Sequence, residues 1–209
     1  MGTIRVFDID DIQANCDTRV FIETGTLHGD GVDYALQHNF DKIYSIEIDD
    51  ELYVQACVKY AQNETVSILN GSSSEVLPEL ITTIDDNILF WLDAHFPGAD
   101  AGKASYRECC EKLDYDVNLP LEAELGAIAN RREKYNDVVV IDDLWLWEEG
   151  QYGAGDMDVH CKNHGHDITR DYVVGDKLLG PMIQPFDDTH YHKRVYEHQG
   201  YLVLLPNKK

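Results

Sequence analysis

Polar residues recur in this 209-residue sequence where apolar runs stop. Glu23 ends the run Val20-Phe21-Ile22, Glu47 ends Ile43-Tyr44-Ser45-Ile46, and Asp142-Asp143 ends Val138-Val139-Val140-Ile141. Asp93 closes Ile88-Leu89-Phe90-Trp91-Leu92 with His95 just beyond it, and Ser72 and Ser73 follow the run 65–69. Taken alone, an aspartate pair after a strand fits a solvated turn, and a lone histidine fits a hydrogen-bonded structural residue. Together they point to one binding edge, because open α/β sheets take their ligands outside the carboxyl ends of the strands. The first of these edges also carries Glu23-Thr24-Gly25-Thr26-Leu27-His28-Gly29-Asp30-Gly31, a glycine-rich turn into a helix start. Glycine lets the backbone approach a ligand closely, although an ordinary strand-to-helix turn has similar content. Glu47 follows Gly29 by eighteen residues, the placement of a carboxylate that accepts hydrogen bonds from two ribose hydroxyls. A nicotinamide dinucleotide would use the same group. The spacing disfavours it, since Gly-Xaa-Gly-Xaa-Xaa-Gly is absent and Glu-Xaa-Gly-Xaa-Xaa-Xaa-Gly is present at Glu23, Gly25 and Gly29.

The elements that must position these residues follow from period and punctuation. Strands are predicted at 19–23, 42–48, 65–69, 87–92 and 138–141, from β-branched and aromatic content, and a closing hairpin at 194–197 and 201–205. Helices are predicted at 30–38, at 50–62 with Asp50 as N-cap and Leu52, Ala56 and Tyr60 on one face, and at 75–84, where Pro78 requires the first turn. Further helices are expected at 119–135, with Leu121, Leu125 and Ile128 on one stripe, and at 168–179. Residues 1–18 are expected to cover the site, and 96–118 and 144–167 to be insertions beside it, the former a lid. The sum is a single α/β domain over 1–209 with helices on both faces of the sheet.

Composition narrows the partners. Asp and Glu number 39 against 17 Lys and Arg, a formal charge of −22, so nucleic acid and anionic membranes are poor partners. The odd set Cys16, Cys57, Cys109, Cys110 and Cys161 fits a reducing compartment. No apolar secretory segment, no acylation pattern after Gly2 and no run of membrane-spanning length is apparent, so a cytoplasmic protein is expected. The tract His160-Cys161-Lys162-Asn163-His164-Gly165-His166 suggests zinc but lacks paired cysteines. Trp145 and Trp147 offer indole faces to a sugar ring, or simply pack.

The ordered set Glu23-Thr24-Gly25-Thr26 with Gly29, Ile46-Glu47, Asn70-Gly71-Ser72 and the Asp93 strand end resembles the successive motifs of class I S-adenosylmethionine-dependent methyltransferases. The resemblance covers most of the chain from Arg19 to Pro206 and implies a Rossmann-like, mostly parallel seven-stranded sheet with a C-terminal antiparallel hairpin. It implies S-adenosylmethionine contacts from Glu23, Gly25, Thr26, Gly29, Glu47, Ser72, Ser73 and Asp93, with Glu47 on the ribose and Ser72 or Ser73 at the adenine. Many members carry Asp where Ser72 stands. In this setting Glu23 would favour a ligand bearing ammonium and sulfonium groups.

Asp93 with Asp142 and Asp143 further resembles the metal site of sugar O-methyltransferases acting on macrolide and aminocoumarin antibiotics, which implies Mg²⁺ or Mn²⁺ on those three carboxylates. Such an ion holds two neighbouring hydroxyls and acidifies the one to be methylated. Where those relatives continue Asp-Xaa-Asp-Xaa-Tyr, this chain has Asp93-Ala94-His95-Phe96-Pro97, so His95 replaces a carboxylate as base or ligand and joins Asp93 as a catalytic candidate. The segments 90–95 and 140–143 are also similar to chlorella-virus glycan methyltransferases that act on rhamnose, implying a rhamnose or related glycan acceptor and, for a viral chain, the host cytoplasm. Metal-dependent methylation of a catechol-like aromatic and a non-catalytic binding module are the other expectations.

Overall fold

The structure, a computed structural model, describes residues 3–207; Gly2, for which no acylation is expected, lies outside them. Seven strands form one sheet in the order β3-β2-β1-β4-β5-β7-β6. They are β1 (Thr18–Thr24), β2 (Lys42–Glu47), β3 (Val66–Asn70), β4 (Asn87–Leu92), β5 (Val138–Ile141), β6 (His190–Val195) and β7 (Tyr201–Pro206). The first five run parallel, and β7 enters antiparallel between β5 and β6. The order reverses between β1 and β4, which opens a crevice above their carboxyl ends.

Central strands are apolar on both sides because both sides are covered. Ile88, Phe90 and Leu92 of β4 join one core with Ile22, Val139 and Leu204, while Leu89 and Trp91 join the opposite core with Phe21, Val138 and Tyr201. Full burial of each such large side chain contributes about 1.5–3 kcal/mol. Ten helices surround the sheet among the described residues: α1 (Ile9–Cys16), α2 (Asp30–Ala35), α3 (Asp50–Tyr60), α4 (Ser73–Leu80), α5 (Tyr106–Lys112), α6 (Tyr115–Asn118), α7 (Leu121–Arg132), α8 (Met157–Asn163), α9 (Arg170–Val174) and α10 (Leu179–Ile183). None is long and apolar enough to cross a membrane.

Several expectations are corrected. The N-cap of α3 is Asp49, whose Oδ1 accepts from Glu51 and Leu52 N–H, and Asp50 is the first helical residue. Pro78 lies inside α4 rather than in its first turn, and the helix gives way soon afterwards to a 3₁₀ turn at Ile81–Thr83. The helix expected over 168–179 is only α9, because Gly175 ends it at φ +60°, and α10 begins at Leu179 where the expected helix stops. Residues 3–17 do not line the site cavity. The C-terminal end of α1 sits at the amino ends of β1 and β4, where the Gln13 side chain donates to Thr18 O and Asn87 Nδ2 donates to Cys16 O. Both insertions do border the cavity, and 96–118 carries α5 and α6 instead of being irregular throughout.

A buried ion pair fixes the amino edge. Arg132 Nε and Nη2 donate to Asp137 Oδ2 and Oδ1 at 2.8 and 2.9 Å, and Asp137 Oδ1 also accepts from Ile88 N–H at 2.7 Å. The remaining guanidinium donors reach Ile84 O and Asp86 O, so α7, β4 and β5 share one anchor. Asp137→Ala strands a buried guanidinium and should cost about 3–5 kcal/mol in urea unfolding.

Candidate active site

A cavity of about 300 Å³ lies over the carboxyl ends of the strands. Gly25 and Leu27 after β1, Glu47 at the end of β2, Ser72 and Ser73 at the start of α4, and Asp93 after β4 form its floor. Trp145, His160 and His166 from the segment after β5, and Asp100 and Tyr106 from the segment after β4, form its walls.

The glycine turn is held open by Glu47. Its Oε2 accepts from Leu27 N–H at 2.9 Å and its Oε1 from Asp49 N–H at 2.8 Å, so both carboxylate oxygens brace backbone while their other lone pairs remain. Leu27 takes φ +47°, a conformation uncommon outside glycine, to present that N–H. Gly25, at φ +86°, donates to Ile46 O, and a Cβ there would come within 3.0 Å of the Asp93 carbonyl. The turn and the β4 end therefore touch.

Glu23, Thr26 and Gly29 do not reach the cavity, a correction to their expected ligand contacts. The Glu23 carboxyl points back beneath α2: its Oε2 accepts from Ser45 Oγ at 2.6 Å, and its Oε1 occupies the space that a Cβ on Gly31 would fill, 1.8 Å away. Burial pushes its pKa up to about 8, so near neutrality it is mainly the uncharged acid. That removes the expected favourable charge for a cationic ligand. Thr26 Oγ1 bonds Ser45 Oγ at 2.6 Å, and Tyr60 OH donates to Gly29 O at 2.8 Å, packing the turn from behind.

Asp93, His95 and Asp143 converge, each offering a ligand atom within 4.8 Å of the others. His95 Nδ1 donates to Asp93 O at 3.0 Å, and Nε2 lies 3.1 Å from Asp143 Oδ2. A proton or a cation between Nε2 and the carboxylate would join the two. Burial raises the Asp93 carboxyl well above its ordinary range, and the Asp143 charge adds to it; Asp143 is raised by burial and opposed by His95. Asp143 sits at φ +52°, which turns its side chain toward His95.

Asp142, expected as a metal ligand, is not in this group. Its Oδ1 accepts from Asp143 N–H at 2.7 Å, and its side chain borders a small recess with Glu124 and Trp147. Burial and the charge of Asp93 hold its carboxyl well above the usual range. The histidine tract does not form a ligand group either: His160 and His164 stack at 4.1 Å, and His160 and His166 are wall residues. Trp145 lines the cavity with its ring 5.1 Å from His160, whereas Trp147 faces the recess.

Sequence reading missed Asp100, Tyr106, Gln199 and Glu124. Gln199 reaches the cavity from the turn between β6 and β7. Glu124 is 1% exposed on α7, beside the recess, with its pKa raised by burial to about 7. A signal for it existed, since Glu124 falls on the same helical stripe as Leu121 and Ile128.

The buried Glu23 has a measurable consequence. Its folded pKa of about 8 exceeds the ordinary 4.5, so its contribution to stability is complete below pH 4.5 and is lost as pH rises toward 8. Urea midpoints of the wild type should fall across that window relative to Glu23→Gln, which has no proton to lose; parallel curves would place the carboxylate in water.

No protein-family model matches the sequence, and no curated protein matches it. Solved structures do. One assigned as a caffeoyl-CoA O-methyltransferase from Staphylococcus aureus aligns with a TM-score of 0.57 at 12% identity, over 99% of this chain and 85% of that one. The 23S rRNA methyltransferase ErmE aligns at 0.52 and 10% identity, over 100% and 70%, and the Escherichia coli protein yhhF, assigned as a methyltransferase, at 0.52 and 11%, over 100% and 89%. With the strand order and the antiparallel β7, these likenesses show that the chain has the Rossmann-like fold of class I S-adenosylmethionine-dependent methyltransferases.

Proposed function

We propose that this protein is an S-adenosylmethionine-dependent O-methyltransferase acting on a sugar hydroxyl, of rhamnose or a related deoxysugar in a glycan, with a divalent ion held by Asp93, His95 and Asp143. The observation that carries the reading is the convergence of those three residues beside the Glu47-braced turn in a single cavity. The donor set suits a cation, because an imidazole nitrogen and two carboxylates offer ligand atoms within 4.8 Å of one another. When bound, the cofactor supplies a methyl group on a sulfonium, and the ion would polarise the acceptor hydroxyl.

The chain's own residues account for the rest. Glu47 keeps lone pairs for ribose hydroxyls while its backbone bonds hold the carboxylate still. Gly25 lets the turn pack directly on the Asp93 backbone beneath the cofactor, and Ser72 at the start of α4 borders the adenine end, whereas the Ser73 hydroxyl is buried and turned to Glu124. Asp93 borders both the turn and the acid cluster and so links donor to acceptor. His95, with Nδ1–H committed to Asp93 O, acts through Nε2. Trp145 offers an apolar face for a sugar ring. The net charge of −22 argues against an RNA acceptor.

A second reading, methylation of a catechol-like aromatic, is favoured by the walls of Tyr106, Trp145, His160 and His166. Turnover of a catechol without any sugar would select it.

Calorimetry should detect binding of the demethylated cofactor, S-adenosylhomocysteine; no heat at high concentration would end the methyl-transfer reading. Glu47→Ala should weaken that binding by more than about 10-fold through loss of both braces and ribose contacts. Asp143→Asn should leave cofactor affinity nearly intact, abolish Mn²⁺ binding and lower turnover by about 100-fold. Full turnover in EDTA would exclude the ion.

A further inference from the structure

The polar lining of the cavity has one sign. Glu47, Asp93, Asp100 and Asp143 border it, and among the described lining residues none is Lys or Arg. Three of these carboxylates already have partners or proposed roles on the sheet side. Asp100 belongs to the segment after β4 and stands at the exposed rim.

Asp100 is held in place. Its Oδ1 accepts from Tyr106 OH at 2.5 Å, and the Tyr106 ring is fixed edge-on by Phe96 and His166 at centroid distances of 5.1 and 4.7 Å. Asp93, Asp100 and Asp143 border the same cavity, so rim and floor face one shared space. A carboxylate can only accept hydrogen bonds, so it is satisfied by a donor such as a hydroxyl and repels an anion. An acceptor bearing phosphate or carboxylate at its rim-facing end would meet like charge there, and no Lys or Arg lines the cavity to offset it.

Building on the sugar-methylation reading, we propose that Asp100, positioned by Tyr106, determines acceptor specificity: it accepts a hydrogen bond from a second hydroxyl of an uncharged, polyhydroxylated acceptor and excludes phosphorylated or carboxylated ones. The sheet-side cluster addresses the hydroxyl to be methylated, and the rim addresses another hydroxyl of the same molecule. Two points of contact on opposite sides fix which hydroxyl approaches the methyl donor.

The test is calorimetry on the full chain loaded with S-adenosylhomocysteine and Mn²⁺, titrated with a set of neutral methyl glycosides, methyl α-rhamnoside among them, and with the matching sugar 1-phosphates. At least one neutral glycoside should bind, and its phosphate should bind about 10-fold more weakly or not at all. Asp100→Asn should weaken the glycoside about 10-fold and narrow the gap to the phosphate, with S-adenosylhomocysteine affinity within about 2-fold. Tyr106→Phe should move the glycoside in the same direction by less. In turnover, Asp100→Asn should raise KM for the glycoside while kcat changes little. Equal or tighter binding of the phosphate, unchanged glycoside binding in Asp100→Asn, or no binding of any neutral glycoside would overturn the inference. Absence of S-adenosylhomocysteine binding by the wild type is recorded before any acceptor is added; it would overturn the methyl-transfer reading, and this inference with it.

Discussion

Carboxylates taken out of water at one sheet edge must be paired, hydrogen-bonded or neutralised, and that requirement organises this protein. Glu47 is braced by two backbone N–H groups. Glu23 and Glu124 follow the other route, with burial raising their pKa values to about 8 and about 7 so that each is readily held as a neutral acid. Asp142 accepts a backbone N–H from its neighbour. Asp93 and Asp143 are the pair left beside His95, with the charge of Asp143 adding to the burial of Asp93, and the site's chemistry is proposed to arise from that residual demand.

The sheet makes such a concentration of acid possible. Because strand order reverses between β1 and β4, the turns after both strands lie side by side, and the Asp93 carbonyl packs against Gly25. The opposite edge is pinned by Arg132 and Asp137, whose bonds tie α7 to the starts of β4 and β5. Rigidity at the amino edge leaves the carboxyl edge free to be built from turns, including residues such as Leu27 and Asp143 in left-handed conformations.

The segment after β4 spans the cavity mouth and is attached to both sides. Lys103 pairs with Asp49 and Glu51 on the cofactor side, and Arg107 pairs with Asp167 on the far side. These contacts are solvent-exposed and weakened by salt, in contrast to the buried aromatic packing of Phe96 on Tyr106 beneath them.

Whereas the sixth strand, expected at 194–197, runs from His190 to Val195, the five parallel strands, their carboxyl-end polar residues and the buried faces of α3 and α7 were legible in the sequence by itself. Those depend on local period and on where apolar runs stop, and Leu52, Ala56, Tyr60, Leu121, Leu125 and Ile128 are all buried. Only the tertiary structure decided which side chains meet. Adjacent aspartates part company because Asp142 still follows the strand into the recess while Asp143 turns at positive φ toward His95. Trp145 and Trp147 divide between cavity and recess, and Glu23 turns under α2 because Gly31 leaves room there. Asp100 joins the site from a segment with no clear period, held by a tyrosine in the following helix. Residue type and spacing bring a group to the end of a strand; its direction there depends on turn conformation and on contacts from segments distant in the chain, which local pattern does not encode.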